Sequence, residues 1–418
     1  MAVKVCDAVM GSGKTESAIT YINEHPDDKF IYITPYLNEA ARIKRGCPGA
    51  HFAEPSNKLG QYNFQKTAHA AALIKSGRNV ATTHQAFKHY TEEVLEDIRK
   101  WGYTLIVDEN VDVLQTFEFH PDDLRVAVDA GLIRDNGGIY SLSDDCRYKG
   151  SALREMLALL RTRELVRIPG ENDDDLFYWA LPPDLFRSFR DVYVLTYLFA
   201  GQSLHHFMKI YDIPYEYIGI QKTDKGYRFG PYPGYTPEYI HTLPSKIHIL
   251  HKSRLNDVGD DHYALSMKWF EQNESGVDRL GKNVSNYYNN IWRDIPADRR
   301  LWGSYNGAYN KIKGKGYAKS FLTFNAKSSN AYRDKDCLVY IVNLFMNVRE
   351  KIFYQMHGID VDEDKFALSV MIQWIWRSAI RDGGDINIYI PSRRMRDLLE
   401  YWIDTVSKGG NIVDEMAV

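Results

Sequence analysis

Near its start the chain runs from an apolar stretch, KVCDA (residues 4–8), through VMGSGKT (9–15) into ESAITYINEH, which has helical periodicity. A strand that breaks into a glycine-bearing loop ending in Lys14-Thr15 and then opens a helix is the context a phosphate-binding loop requires. Gly11 and Gly13, on either side of Ser12, let backbone N–H groups curl around phosphate oxygens with no Cβ in the way, and the helix N-terminus adds a favourable dipole. Lys14 reaches the β- and γ-phosphates from this position, and Thr15 offers a hydroxyl to Mg²⁺. The nucleotide set read from the residues is therefore Gly11, Ser12, Gly13, Lys14 and Thr15. Ala8 stands where a first glycine is usual.

A second signal lies about 90 residues on. YTLIVDEN (103–110) reads as a buried parallel strand that carries Asp108 and Glu109 to the carboxyl edge of a sheet, where open α/β sheets bind ligands. Two adjacent carboxylates there are costly unless a metal and a water use them. The expectation is that Asp108 holds Mg²⁺ and Glu109 polarises the attacking water. Between the two signals strands and helices alternate. FIYITPYLNEAARIKR (30–45) delivers Thr34 and Pro35 to a strand end, and NVATTHQAFKHY (79–90) delivers Thr83 and His84. His84 fits either a helix cap or a contact to nucleic acid.

From about 119 to 185 acidic residues become frequent and helical periodicity replaces the apolar strands, so a helical insertion is expected there. DVYVLTYLFAGQSLHHF (191–207) then restores a strand, a polar break and a helix. Dense Gly and Pro punctuation from 216 to 245 reads as a connection with a short hairpin. A second α/β set follows, from KIHILHKS (246–253) to the end. Within it, residues 292–320 interleave basic and aromatic side chains, with Lys311, Lys313, Lys315 and Lys319 compatible with a phosphate backbone or with a solvated loop. SVMIQWIWRSAIRDG (369–383) reads as a helix that places Gln373, Arg377 and Arg381 at spacings of four on one face. Paired arginines of this kind stabilise charge developing on a transferred phosphoryl group. The domains expected are thus 1–215 with its insertion, a linker at 216–245, and 246–418.

Composition narrows the partners. The chain has 418 residues, enough for two or three domains with full cores, and its net charge of −3 means that any nucleic-acid binding comes from a local surface. Its four cysteines are scattered without metal-ligand spacing, which indicates neither a zinc site nor a disulfide framework. No apolar run reaches the ~20 residues of a membrane span, so no membrane partner and a cytoplasmic location are expected.

In this order the motifs resemble those of the superfamily 2 helicases, the group containing DEAD- and DEAH-box proteins, and in particular the compact helicase-like proteins of tailed phages. AVMGSGKT (8–15) is similar to motif I, ITPYLNEAARI (33–43) to motif Ia, VATTHQAF (80–87) to the following nucleic-acid motif, and VDEN (107–110) to motif II. LTYLFAGQS (195–203) occupies the place of motif III, ILHKS that of motif IV, NAKSSNAYRD (325–334) that of motif V and QWIWRSAIR (373–381) that of motif VI. The resemblance implies an α/β fold of two RecA-like domains, parallel sheets flanked by helices, that clamp ATP and Mg²⁺ between them. Lys14, Glu109, Gln373, Arg377 and Arg381 are then catalytic, with Arg377 the arginine finger, and Thr15 and Asp108 serve the metal. Thr34, Pro35, Thr83, His84, Asn325, Ser328 and Ser329 contact nucleic acid. The implied partner of such a chain is single-stranded or forked nucleic acid, DNA ahead of RNA, met by a monomer working beside replication or recombination proteins. Motif II departs from the family pattern at Asn110-Val111, motif III keeps only Thr196, and motif VI has Trp376 in place of glycine. A nucleic-acid clamp that hydrolyses ATP without unwinding, and a terminase-type packaging ATPase, stand as the alternatives.

Overall fold

The structure, a computed structural model, describes every residue except 1, 36, 57, 59–64, 118–120, 149, 151–152, 162, 170–174, 235–239, 327–330, 411 and 413–418. Four strands open the chain: β1 (Val3–Asp7), β2 (Phe30–Thr34), β3 (Val80–Thr83) and β4 (Thr104–Asp108). After them come β5 (Leu114–Phe117), β6 (Ile133–Asp135), β7 (Ile139–Leu142), β8 (Leu165–Ile168), β9 (Leu176–Ala180) and β10 (Asp191–Thr196). A hairpin, β11 (Tyr215–Thr223) and β12 (Gly226–Pro231), precedes the last four strands. These are β13 (Ile247–Ile249), β14 (Arg300–Gly303), β15 (Cys337–Tyr340) and β16 (Ile386–Tyr389). Three helices position the site: α1 (Lys14–Glu24), α2 (Val348–Met356) and α3 (Glu363–Ile375).

Two parallel sheets carry the fold. The first has the order β12-β11-β1-β10-β4-β2-β3 and is parallel except for its edge hairpin. The second is parallel throughout, in the order β13-β16-β15-β14. β2 and β4 are buried at every residue, as is β15, which is why these segments read as unbroken apolar runs rather than alternating ones. With helices flanking both sheets, the α/β class and the two RecA-like domains expected from sequence are present.

Two sequence expectations change. The insertion between β4 and β10 is built on a five-stranded antiparallel sheet, β5-β9-β8-β7-β6, with the helices Pro121–Asp129 and Arg154–Leu160 against it. It is therefore not a helical insertion: short aromatic and branched strands such as LVRI and LFYWA satisfy a half-buried sheet, and their flanking acids masked that pattern. The punctuated stretch after residue 215 forms the expected hairpin, but β11 pairs with β1 in register from Val3↔Tyr215 to Cys6↔Ile218. That hairpin extends the first sheet instead of bridging to the second.

The halves are also joined at a place that no local sequence signal marks. After β15 the chain leaves the second sheet, passes through residues 341–347 without regular secondary structure, and forms α2. Met346, Phe353 and Tyr354 are buried in the same cluster as Val111, Val113, Tyr178, Phe186 and Phe207 of the first half. The Tyr354 and His206 rings lie 4.8 Å apart. The chain then returns to the second half as α3. This arm makes α2 a core element of a domain whose own sequence ended more than a hundred residues earlier.

Phe353→Ala should therefore cost about 3–5 kcal/mol, the range for deleting a buried phenylalanine. The loss should appear in the first half, as new protease cleavage within residues 1–231 in a urea series. Cleavage confined to residues beyond 240 would contradict the shared core.

Candidate functional site

The phosphate loop leaves the carboxyl end of β1 and turns into α1 at Gly13, which has φ +97°, while Gly11 has φ +82°. Both values lie where only glycine is comfortable. Ser12 is buried beneath the turn. The Lys14 ammonium donates to the carbonyl of Val9 at 3.1 Å and to that of Ala8, folding back over its own loop. Burial lowers its pKa, opposed by the neighbouring Cys6 and by the carboxylates of Asp7, Asp108 and Glu109.

β4 lies two strands away from β1, across β10, with Leu195 opposite Asp108 and Thr196 opposite Asp7. Asp108 is buried and accepts a 2.7 Å hydrogen bond from the Tyr32 hydroxyl; burial raises its pKa. The next residue, Glu109, has φ +65°, a left-handed conformation that a non-glycine residue holds only when its surroundings fix it. The Glu109 N–H donates to the Leu195 carbonyl at 3.0 Å, which supplies part of that constraint.

From the other half, Gln373 comes from α3, but the sequence argument for its two arginines needs correcting. The helix stops at Ile375; Arg377 sits in the turn beyond it, and Arg381 in a short 3-10 helix, Ala379–Asp382. The break has local causes: the Ser378 hydroxyl donates to the Ile375 carbonyl at 2.6 Å, and the Ala379 N–H is taken by the Lys335 carbonyl at 2.8 Å. The three side chains nonetheless converge. Gln373, Arg377 and Arg381 line one cleft of about 350 Å³ with Gly11, Gly13, Lys14, Thr15, Asp108 and Glu109. Trp376, where a glycine was expected, lines the same cleft and packs edge-on against Trp402 at 5.2 Å. Burial and the neighbouring Arg333 both lower the Arg381 pKa, so positive charge is held here at a cost that a polyanion would relieve.

The structure separates the residues assigned to nucleic acid. Thr34 and Pro35 line this cleft, and the Thr34 hydroxyl is fully buried with no hydrogen-bond partner among the described residues. His84 is buried too, its Nε2 2.8 Å from the Asp108 carbonyl oxygen, so it props the Asp-Glu corner from behind. Neither Thr34 nor His84 presents its side chain to the surface, which corrects their assignment to nucleic acid. The Thr83 hydroxyl accepts from the Ala86 N–H and caps the helix His84–Phe87. Asn325 is exposed on the wall of a second, larger cavity. Ser328 and Ser329 lie outside the described residues. In the basic and aromatic stretch, Lys311 is exposed and donates to the Phe270 carbonyl at 2.7 Å, whereas Trp302 is fully buried and serves packing.

Sequence reasoning missed Tyr227, Arg333 and Arg42, all of which line the cleft. Tyr227 lies on β12 and its ring covers Gly13 so closely that a Cβ on Gly13 would come within 2.4 Å of it. No local pattern marks Tyr227, because its place depends on the hairpin joining β1. Arg333 was within the motif V resemblance but unassigned; it is paired to Asp382, its Nε 2.7 Å from the carboxylate.

Asp7, the residue before the phosphate loop, is the other unforeseen element. Its buried carboxylate accepts hydrogen bonds from the N–H groups of Leu198 and Phe199, each at 2.8 Å. The same loop is stapled by Thr196, whose hydroxyl donates to the Gln202 side chain at 2.7 Å. Gly201, further along, lies so close to α3 that a Cβ there would meet the backbone of Lys365 and Phe366 at 2.6 Å. Phosphate loop, the segment after β10 and α3 are thus in continuous contact across the two halves. The donor set fits a magnesium nucleotide: a glycine cradle, an orphaned Thr34 hydroxyl, a carboxylate at Asp108 and cations on both walls.

Comparison with known proteins gives a family and a set of distant structural likenesses. The model of the YonV C-terminal Rossmann-like domain matches residues 241–403. The SPbeta prophage-derived uncharacterized protein YonV of Bacillus subtilis (strain 168) is 38% identical over 412 residues, covering 96% of this chain and 98% of that protein. Among solved structures, S. tokodaii Xpd4 superposes with a TM-score of 0.49 at 12% identity, covering 96% of this chain and 94% of that one. An apo XPD gives 0.46 at 12% identity, with 96% and 95% covered. A DEAD box protein from Methanococcus jannaschii gives 0.27 at 12% identity, with 98% and 87% covered.

The Asp7 clamp carries a pH signature. Burial raises its pKa from 3.8 to about 6, against the lowering effect of its two N–H donors and of Lys14. The folded chain therefore binds this proton more tightly than the unfolded one, and the contribution of Asp7 to stability falls as pH rises from about 4 to about 6. At 1.36 kcal/mol per unit, the unfolding free energy of the wild type relative to Asp7→Asn should drop by about 3 kcal/mol over that window and level off above it. Urea unfolding at several pH values measures this, and a difference that grows with pH would refute it.

Proposed function

The chain belongs to the YonV family, and from the geometry of its cleft we propose that it is an ATP-dependent, Mg²⁺-requiring helicase or translocase acting on nucleic acid, DNA ahead of RNA, in phage-type replication or recombination. The observation that carries this reading is that both halves line one cleft: Lys14, Thr15, Asp108 and Glu109 from the first, Gln373, Arg377 and Arg381 from the second. A cleft divided in this way is complete only when the domains close, so hydrolysis and domain movement are one event. The prophage origin of the relative agrees with the phage setting.

Thr15 and Asp108 would hold the metal ion, whose chemistry when bound is to neutralise charge on the phosphates. The glycine loop and Lys14 bind and orient the triphosphate. Turned into the cleft by its left-handed backbone, Glu109 orients the attacking water and accepts its proton. Arg377, buried at 7% exposure, delivers a guanidinium whose charge is little screened, and Arg381 supports it from the adjoining turn. Tyr227 offers an aromatic face beside the loop on which a nucleobase stacks.

The test is ATP hydrolysis with and without single-stranded DNA, forked DNA and RNA. One nucleic acid should stimulate turnover strongly, and Lys14→Ala and Arg377→Ala should each reduce kcat about 100-fold or more. Hydrolysis that survives Arg377→Ala would remove the two-sided cleft from the mechanism. Tyr227→Ala should raise the KM for ATP about tenfold with little change in kcat, and Tyr227→Phe should restore it, since a stacked base contributes ~1–3 kcal/mol. An unchanged KM in the alanine variant would exclude the stacking role.

A further inference from the structure

Beside the nucleotide cleft lies a larger cavity of about 1510 Å³, walled by the Asp-Glu corner and the segment after β10 on one side and by the second half and its arm on the other. Glu109, Gln373 and Arg377 line both spaces. Small-molecule sites run to roughly 300–1,000 Å³, so the volume suits a length of polymer better than a metabolite.

The surface of this cavity is unusual. Tyr263, Met267 and Val348, at 64, 58 and 70% exposure, are the three most exposed large apolar side chains among the described residues, and all three line it. Such a concentration of exposed apolar area marks a binding site. The aromatic part is rigidly built. Tyr263 and Phe345 have ring centroids 5.6 Å apart, and the Arg394 guanidinium lies 4.4 Å from the Phe345 centroid. Beneath them Asn343, fully buried, donates through its side-chain amide to the carbonyls of His262 and Ala264 at 2.7 and 2.9 Å and accepts from Arg394 at 3.1 Å. One side chain thus pins both segments that carry the rings, so presenting them costs little further ordering.

We propose that Tyr263 and Phe345 form a stacking platform on which bases of a single-stranded nucleic acid sit while the strand occupies this cavity. The assignment rests on the reading of the chain as a nucleic-acid motor and gives that motor a grip on bases rather than on phosphates alone. Charge sets the balance between the two. Lys268 and Arg349 line the cavity and suit phosphates, but Asp112 and Glu350 line it too, so ionic contact alone cannot supply the affinity. Stacking tolerates any sequence because every base has a π-face. The shared wall of Glu109, Gln373 and Arg377 makes occupancy by a strand a direct influence on the hydrolytic groups.

The experiment is fluorescence anisotropy with the full chain and four labelled 12-mers: oligo-dT, oligo-rU, a purine-rich DNA strand and a DNA strand in which every residue is abasic. The wild type should bind at least one base-bearing strand about tenfold or more tightly than the abasic strand. Tyr263→Ala should lose most of that preference, Tyr263→Trp should keep it, and Tyr401→Ala, an exposed aromatic outside the cavity, should leave it intact. Because stacking releases no counterions, the ratio between wild type and Tyr263→Ala should hold as salt rises while both affinities fall. Tyr263 is so exposed that its replacement leaves the core untouched. Equal binding of base-bearing and abasic strands by the wild type, or an unchanged preference in Tyr263→Ala, would overturn the platform and leave the motor standing. No binding of any strand would take down both.

Discussion

A carboxylate in the wrong place holds this molecule's site together. Asp7 is buried at the end of β1, where its charge is penalised, and it is retained next to the phosphate loop because it accepts both N–H groups of the segment after β10. An apolar residue there would leave Leu198 and Phe199 with unsatisfied donors, each costing about 1–3 kcal/mol. Through those bonds the end of β1, which leads into the glycine loop, is tied to the segment that abuts α3. The link between the glycine loop and the second half is therefore a pair of ordinary hydrogen bonds to a costly group, with little space around Gly201 where the segment meets α3.

Most of the cleft could be read from sequence because its parts leave the same edge of a parallel sheet. Once β1 and β4 were recognised as apolar runs, Lys14 and Asp108 followed from where those runs stop. Gln373, Arg377 and Arg381 were located for a partly mistaken reason: their spacing of four suggested one helical face, whereas Ser378 and Lys335 end the helix and a turn brings the arginines round. Tertiary hydrogen bonds overrode local periodicity there. The insertion was misread as helical since its strands are short and separated by acidic loops, and strand pairing across sixty residues leaves no local trace. Tyr227 and Phe345 were invisible for the same reason, their roles set by what a hairpin and an arm pack against.

The two cavities differ in character. The smaller one gathers charge of both signs around a glycine cradle, suited to a compact polyanion. The larger one is aromatic and apolar with mixed charge, suited to a chain whose bases are exposed. Three residues belong to both, which gives a short path for energetic coupling without any rearrangement of the core. His84, propping the Asp108 carbonyl, shows how a position expected to contact nucleic acid serves instead to hold the Asp-Glu corner.

The crossing of α2 into the first domain has a meaning for biosynthesis. A ribosome releases the chain from its N-terminus, and domains ordinarily fold as they emerge. Here the first sheet is complete by Pro231, yet its core keeps an open socket until Phe353 and Tyr354 have left the exit tunnel. For that interval the nascent chain carries an exposed apolar slot beside a formed phosphate loop. The molecule becomes competent late and all at once, when the arm closes the first core and its return through α3 brings Gln373 and Arg377 to the cleft.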